Sequence, residues 1–329
     1  MNEHTIEREA PGEDGTGTTT RCPGCQARGA VRWARARDVE YHTSDQEFDY
    51  YRCVRCGAVF LDPMPVDRLA QIYPANYYAY ASDEQSFVHR IKDRLDAVRL
   101  RRILSGLSGD GLAVLDVGGG DGWQLDVIRD IDPRVTFTQV VDLDTAAQAR
   151  AATRGHHFFC GRVEEFATER RFDLILLINL IEHVSDPGEV LRTLRRHLTP
   201  QGVILIKTPN MDSLDARLFR HRDWGGYHCP RHWVLFDRQN FTRLATRCGF
   251  AVRRFAYTQG APFWSTSILA QLARRGWVRV CAERPMTQHP LFPLLAAGFA
   301  GFDLVRMRLG GRPSQMFVEL VPAPASDDR

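Results

Sequence analysis

Residues 112–123 read Leu-Ala-Val-Leu-Asp-Val-Gly-Gly-Gly-Asp-Gly-Trp, an apolar run of strand type that empties into glycines at 118, 119, 120 and 122. A helical pattern starts near Trp123 and carries Leu125 and Ile128 on one face. The stretch predicts a strand, a tight glycine turn and a helix start. Glycines suit such a turn because the backbone takes positive φ there and a ligand can approach it closely. The free N–H groups of the helix N-terminus favour an anionic or zwitterionic ligand.

Spacing narrows the ligand. The dinucleotide fingerprint G-x-G-x-x-G, counted from Gly118 and Gly120, needs a third glycine where this chain has Trp123. NAD and FAD are therefore disfavoured. The residues spell Asp-x-Gly-x-Gly-x-Gly from Asp116 through Gly118 and Gly120 to Gly122, which resembles the first motif of class I S-adenosylmethionine (SAM) dependent methyltransferases. Downstream, 137–141 reads as a second strand ending at Asp142, 20 residues after Gly122. An acidic side chain at that strand tip can accept both ribose hydroxyl protons of a nucleoside. Asp142, with Leu143 beside it, is the candidate ribose contact, and Asp144 is the better cap for the next helix.

His157 to Cys160 reads as a short third strand. The resemblance implies an acidic adenine contact after Gly161, but Arg162 stands at that position, so Val163, through its N–H, and Glu164 are the remaining candidates. Phe172 to Ile178 is an uninterrupted apolar run, the mark of a strand buried on both faces. It delivers Asn179-Leu-Ile-Glu182-His183 at its carboxyl end, where ligands lie in open α/β sheets. Asp186-Pro-Gly-Glu189 then has the form of a capping box, and 203–207 reads as the next strand.

This block resembles the ubiquinone-biosynthesis branch of the class I methyltransferases, over about residues 110–257. The resemblance implies a Rossmann-like α/β domain with a mostly parallel seven-stranded sheet and an antiparallel last strand. It implies SAM as cofactor, held by Asp116, Gly118, Gly120, Gly122, Asp142, Leu143, Val163 and Asn179. It also places a histidine in the long loop after Trp224, where His232 of Pro-Arg-His-Trp matches best. His183 and His232 are the candidate catalytic pair. They act as a base or, with Glu182, hold a divalent ion. In related enzymes Glu-x-x-Glu-His does the latter, and Asn179 in place of the first glutamate favours the base. A purely structural His183 is the bland alternative.

Upstream, Cys22-Pro-Gly-Cys25 and Cys53-Val-Arg-Cys56 are separated by 27 residues with alternating apolar positions, among them Val31, Trp33, Phe48 and Tyr50. Two knuckles of two thiolates each make a closed tetrahedral site, so a structural Zn2+ on Cys22, Cys25, Cys53 and Cys56 is expected. Bacterial members of the resembled family carry such a domain. Tyr73, Tyr77, Tyr78 and Tyr80 come next, either lining a pocket or packing the ribbon on its neighbour. Residues 84–107 place Phe87, Ile91, Leu95, Val98, Ile103 and Leu107 at helical spacing.

The expected organisation is a disordered tail over 1–20, a zinc ribbon over 21–62, a linker and helix over 63–109 and a SAM-binding core over 110–257. An apolar helical insertion or lid over 258–313, a last strand over 314–322 and a second tail over 323–329 complete it. Within the insertion, 291–302 is too short to span a membrane and contains Pro293. Lid or homodimer packing is preferred there to a peripheral membrane contact through 263–302.

The net charge is only +3, and the ribbon carries Asp38, Glu40, Asp45, Glu47 and Asp49, which argues against a nucleic-acid partner. Residues 1–20 lack the apolar core of a signal peptide, so a cytoplasmic location is expected. The leading function is methylation of a small organic acceptor, oxygen favoured. Sugar or polyketide C-methylation, rRNA methylation and a non-catalytic SAM-binding scaffold are the alternatives.

Overall fold

The computed structural model describes residues 17–18, 20–74, 77 and 97–324. The other parts of both tails, Tyr78 and Tyr80, and the Phe87–Leu95 part of the expected helix lie outside the described residues. Two sheets organise the chain. The larger has seven strands, β5 (Leu112–Val117), β6 (Val135–Asp142), β7 (His157–Cys160), β8 (Phe172–Ile178), β9 (Leu198–Pro209), β11 (Phe250–Thr258) and β12 (Gln315–Pro322). Their order is β11-β12-β9-β8-β5-β6-β7. The four pairings from β7 across to β9 are parallel, and β12 runs antiparallel to both β9 and β11. This is the Rossmann-like sheet expected of the resemblance.

Burial explains the strands. Every residue of β5 is buried, as is Leu174–Leu177 in the middle of β8, because helices cover both faces. Helix α1 (Trp123–Ile131) buries Leu125 and Ile128. Asp144 caps α2 (Thr145–Thr153) through Ala146 N. Helix α3 (Pro187–His197) buries Val190, Leu191 and Leu194. Asp186 caps it by accepting from the Glu189 N–H, while the Glu189 carboxylate turns to Arg192, so the box is only half made. The helix over 97–105 buries Leu100, Ile103 and Leu104, whereas Val98 is 65% exposed. The apolar stripe thus runs to one side of Val98. β9 is longer than its apolar centre, since Leu198 pairs with Phe172 and Pro209 with Gln315.

The smaller sheet comprises β1 (Gly17–Thr18), β2 (Ala30–Ala36), β3 (Phe48–Cys53) and β4 (Val59–Leu61), all antiparallel. Gly17 and Thr18, expected in the tail, pair with Val31 and Ala30. A bulge between Arg32 and Ala34 turns Ala30, Ala34 and Ala36 inward. Val31 is left partly exposed, and Trp33 has the guanidiniums of Arg220 at 3.5 Å and Arg52 at 5.0 Å over its ring.

The fifth strand of this sheet, β10 (Val234–Leu235), comes from the α/β half and pairs with Phe60 and Val59. One apolar cluster runs from Cys22, Tyr50 and Phe60 through Trp233 and Phe236 to Leu177. The ribbon and the α/β half share a core.

The insertion between β11 and β12 folds as two helices, α4 (Ala261–Arg274) and α5 (Leu291–Arg308). Pro293 falls in the first turn of α5, where its missing N–H costs nothing, so the apolar run continues into an 18-residue helix. Trp264 stacks on Phe299 at 4.8 Å to join the pair. Ser267 Oγ of α4 accepts from Gly225 N, so α4 backs the histidine loop. No helix among the described residues is long and apolar enough to cross a membrane.

Candidate active site

The glycine turn is shaped from below. Asp116, near the end of β5, is buried, and a Cβ on Gly119 would stand 2.6 Å from its carboxylate oxygen. At Gly120, with φ +55°, a Cβ would meet nothing within 4 Å among the described residues. Among those residues the turn is filled on one side and open on the other, the form of a cradle for a ligand. The carboxylate of Asp142 accepts from Gly120 N at 2.8 Å and from Asp144 N at 2.9 Å, which fixes it beside the cradle. Burial and then the Asp142 charge push the Asp116 carboxyl up to about 8. Leu143 is exposed just beyond Asp142, and Val163 is buried at the start of a 3-10 turn with Arg162 exposed before it.

Asn179 comes directly after β8 with φ +55°, a conformation asparagine tolerates better than most residues. Its N–H donates to Lys207 O, and its Oδ1 accepts from Gln315. The next residue ties the two halves of the site together: a Leu180 methyl lies 3.0 Å from where a Cβ on Gly118 would be. The segment carrying Glu182 and His183 is therefore packed on the glycine turn.

His183 and His232 meet edge to face with ring centroids 4.6 Å apart. His183 Nδ1 lies 3.0 Å from Arg231 O and 2.9 Å from the Tyr73 hydroxyl. A carbonyl only accepts, so Nδ1 carries the proton and Nε2 keeps its lone pair. Withdrawal from water, and then the neighbouring His228, push His183 down to about 3, so the ring is neutral. His232 is buried behind it, with Nδ1 2.8 Å from Gly226 O and Nε2 facing Glu182 Oε1 at 3.9 Å. Burial, then His183 and His228, hold His232 well below the ordinary histidine range. Glu182 is fully buried, and desolvation raises its carboxyl to about 8 although Thr208 donates to Oε2. Its Oε1 has no hydrogen-bond partner among the described residues. Ligand atoms of Glu182, His183 and His232 all lie within 4.8 Å of one another.

The loop also brings in His228, whose significance sequence spacing did not reveal. Its ring lies 5.0 Å from His232 and 6.2 Å from His183. Tyr73 and Tyr77 stand beside these rings, and Tyr77 also meets Tyr41 of the ribbon with ring centroids 5.4 Å apart. Asp38 and Glu40 turn inward, Asp38 to Arg231 and Glu40 to His228.

The four thiols form a separate centre. Sγ atoms of Cys22 and Cys56, and of Cys25 and Cys53, stand 3.6 Å apart, and all four lie within 4.8 Å of one another. Zn–S bonds of about 2.3 Å would put tetrahedral sulfurs about 3.8 Å apart. The donor set fits a zinc ion.

Residues 87–254, about half of the chain, match the family described as "Methyltransferase domain". The chain belongs to the class I SAM-dependent methyltransferase family. A ubiquinone biosynthesis O-methyltransferase from Bradyrhizobium diazoefficiens is 31% identical to the methyltransferase over 103 residues, covering 30% of this chain and 41% of that protein. A malonyl-[acyl-carrier protein] O-methyltransferase from Bacillus anthracis is 24% identical over 136 residues, 40% of this chain and 48% of that protein. The methyltransferase thus spans under half the length of these curated relatives. Among solved structures, the S-adenosylmethionine dependent methyltransferase from Mesorhizobium loti aligns with a TM-score of 0.43 at 18% identity, over 68% of this chain and 95% of that one.

Proposed function

We propose that the protein transfers the methyl group of SAM to an oxygen of a small organic acceptor, with His183 as the base and a structural Zn2+ on Cys22, Cys25, Cys53 and Cys56. The contact between Leu180 and Gly118 carries this reading, because it packs the short segment that bears the neutral His183 on the methyl-donor cradle. SAM's aminocarboxyl end lies over Gly118–Gly122 beside Asp116, and its ribose sits on Asp142. Val163 and Leu143 flank the adenine, and Asn179 faces the methyl. Nε2 of His183 takes the acceptor proton while SAM is held in line, so proximity supplies most of the rate and the base adds about 100-fold. His232 buttresses that ring. The curated relatives named for O-methylation support oxygen over carbon.

The test is transfer of label from methyl-labelled SAM to host extract, partitioned into aqueous, organic-soluble and RNA fractions. Asp142→Ala, expected to weaken SAM about 100-fold through lost charged hydrogen bonds, serves as the blank. His183→Ala should lower turnover about 100-fold with SAM affinity unchanged. Unchanged turnover would leave His183 a structural residue, and label in RNA would overturn the small-molecule acceptor.

One observation favours a second reading. The unpartnered Oε1 of buried Glu182, facing Nε2 of His232, suits a divalent ion that orients the acceptor oxygen. Turnover that needs added Mg2+ or Mn2+ after dialysis, with the zinc retained, would select it.

Asp116 gives a pH signature. Its raised carboxyl makes the fold less stable as pH climbs from the ordinary ~3.9 of an unfolded aspartate towards about 8, because the native state holds that proton more tightly. SAM's ammonium and sulfonium favour the ionised carboxylate. Binding near pH 7 should therefore release a proton, seen as a buffer-dependent calorimetric enthalpy. Affinity should rise up to ~tenfold per unit from pH 6 to 8. Asp116→Asn should flatten both trends; a wild-type affinity flat with pH would contradict the assignment.

A further inference from the structure

Helix α5 has a covered face and an uncovered one. Inward, Phe292 and Leu295 pack on the cluster of Leu269, Ala270 and Met286, and Phe299 and Phe302 meet Trp264 of α4. Asp303, on the same side, is buried and accepts from Gly260 N. Outward, at helical spacing, stand Leu294, Ala297, Gly301, Leu304, Val305 and Arg308, all exposed. Leu294 is 69% exposed and Val305 56%, values that leave most of each side chain in water. At Gly298 and Gly301 a Cβ would meet nothing within 4 Å among the described residues. The outward face therefore holds no polar side chain before Arg308. A helix that faces water carries polar residues on that side, and a contiguous exposed apolar face marks a surface that something else covers.

Charge decides between the possible covers. Residues 259–313 hold seven arginines against two acids, Glu283 and Asp303, in a chain whose whole net charge is only +3. Asp303 is turned inward and paired with Arg306. Arg308 closes the outward face, and Arg275, Arg279 and Arg284 are exposed in the connection between α4 and α5. In that connection Trp277 is 73% exposed, with the Arg275 guanidinium 5.9 Å from its ring. A second copy of the chain would set this positive surface against its own like. A bilayer with anionic headgroups takes the apolar side chains and the arginines together, and its headgroup boundary suits tryptophan. The apolar run alone favoured lid or homodimer packing; the placement of the arginines favours the bilayer. We propose that the outward face of α5, with Trp277 and the arginines of the connection, docks on an anionic lipid bilayer surface. No described helix is long and apolar enough to cross a membrane, so α5 lies along that surface. The inference stands apart from the methyl-transfer reading, because none of these residues belongs to the candidate active site.

The experiment floats the full chain with vesicles of phosphatidylcholine alone, and with vesicles in which a third of the lipid is phosphatidylglycerol. At low salt the protein should float with the second and not with the first. Raising the salt to about 0.5 M should lower its bound-to-free ratio about tenfold, as screening removes the arginines' share. Leu294→Glu and Val305→Glu should each lower that ratio about tenfold at low salt, and Arg308→Gln about fivefold. All three side chains are exposed, so the urea midpoint and SAM affinity of each variant should match wild type. No flotation at low salt, or equal flotation with phosphatidylcholine alone, would overturn the proposal on the wild-type chain. Flotation that none of the three variants weakens would remove it from α5. Sedimentation equilibrium without lipid should show a monomer; a dimer that Leu294→Glu dissociates would make this face an interface between copies and overturn the bilayer.

Discussion

Withdrawing zinc from the four-cysteine centre with a strong chelator is expected to abolish methyl transfer while leaving SAM bound within about threefold of its starting affinity. Structural zinc contributes about 10–16 kcal/mol of apparent binding energy that becomes folding energy, so a ribbon without its metal unfolds. The damage reaches as far as the ribbon's contacts do. Its sheet takes β10 as fifth strand, and Leu61 N donates to Trp233 O, one residue from His232. Tyr50, fully buried in β3, places its hydroxyl 3.1 Å from His232 O and 3.2 Å from Tyr227 O. Trp233 N and Val234 N both donate to Glu182 O, which passes the constraint on to the residue beside His183. The cradle, by contrast, is built from β5 and β6, and β7 and β8 brace those strands from either side. Calorimetry of SAM binding and label transfer on one chelated sample, with released zinc counted by a chromophore, check the prediction. A Cys53→Ser variant should repeat it. Full turnover after stoichiometric zinc release would show that the histidine loop stands without the ribbon.

The α/β half was legible because each local signal agreed with the fold. The Leu112–Val117 run, the glycines, the β8 run and the Asp144 and Asp186 caps all arise from patterns spanning a few residues. Convergence of His183 with His232 was also foreseen, through the resemblance. The ribbon's attachment was not, because a two-residue strand such as Val234–Leu235 has no periodicity to read and its partner lies far away in sequence. For the same reason Asp38 and Glu40 looked like surface acids. Nothing within the ribbon tells an acidic residue bound for a buried arginine from one facing water, and the partners Arg231 and His228 come 193 and 188 residues later. Val31 and Val98 misled in the opposite direction: a bulge and a shifted stripe put them outside, because tertiary packing overrides an apolar side chain's preference where a neighbouring alanine or leucine fits the core better.

Asp38→Ala is expected to destabilise the protein by about 3–5 kcal/mol, read as a shift of the urea midpoint, because it strands a buried guanidinium. Asp38 and Arg231 are both fully enclosed at the junction of the two halves, with Nη2 2.9 Å and Nη1 3.3 Å from the carboxylate. Tyr41 N, Thr43 N and Thr43 Oγ1 donate the remaining hydrogen bonds to Asp38. Burial alone would raise this carboxyl, but the Arg231 charge and these donors outweigh it and hold it below the ordinary value. The stabilisation is therefore present above the unfolded aspartate value of ~3.9 and is lost as pH falls through the lower folded value. In the variant the Arg231 guanidinium keeps Cys229 O at 3.1 Å and the Tyr41 and Tyr77 faces at 4.6 Å and 5.9 Å, and among the described residues its Nε already lacks a partner. Replacing both members by apolar residues, Asp38→Leu with Arg231→Met, should recover most of the loss, since no charge is left to desolvate. A single-variant cost below about 1 kcal/mol would mean that water reaches the pair. Turnover separates stability from function: the Arg231 carbonyl holds Nδ1 of His183, so the folded fraction of Asp38→Ala should also turn over more slowly, whereas the apolar pair, which keeps that backbone in place, should not.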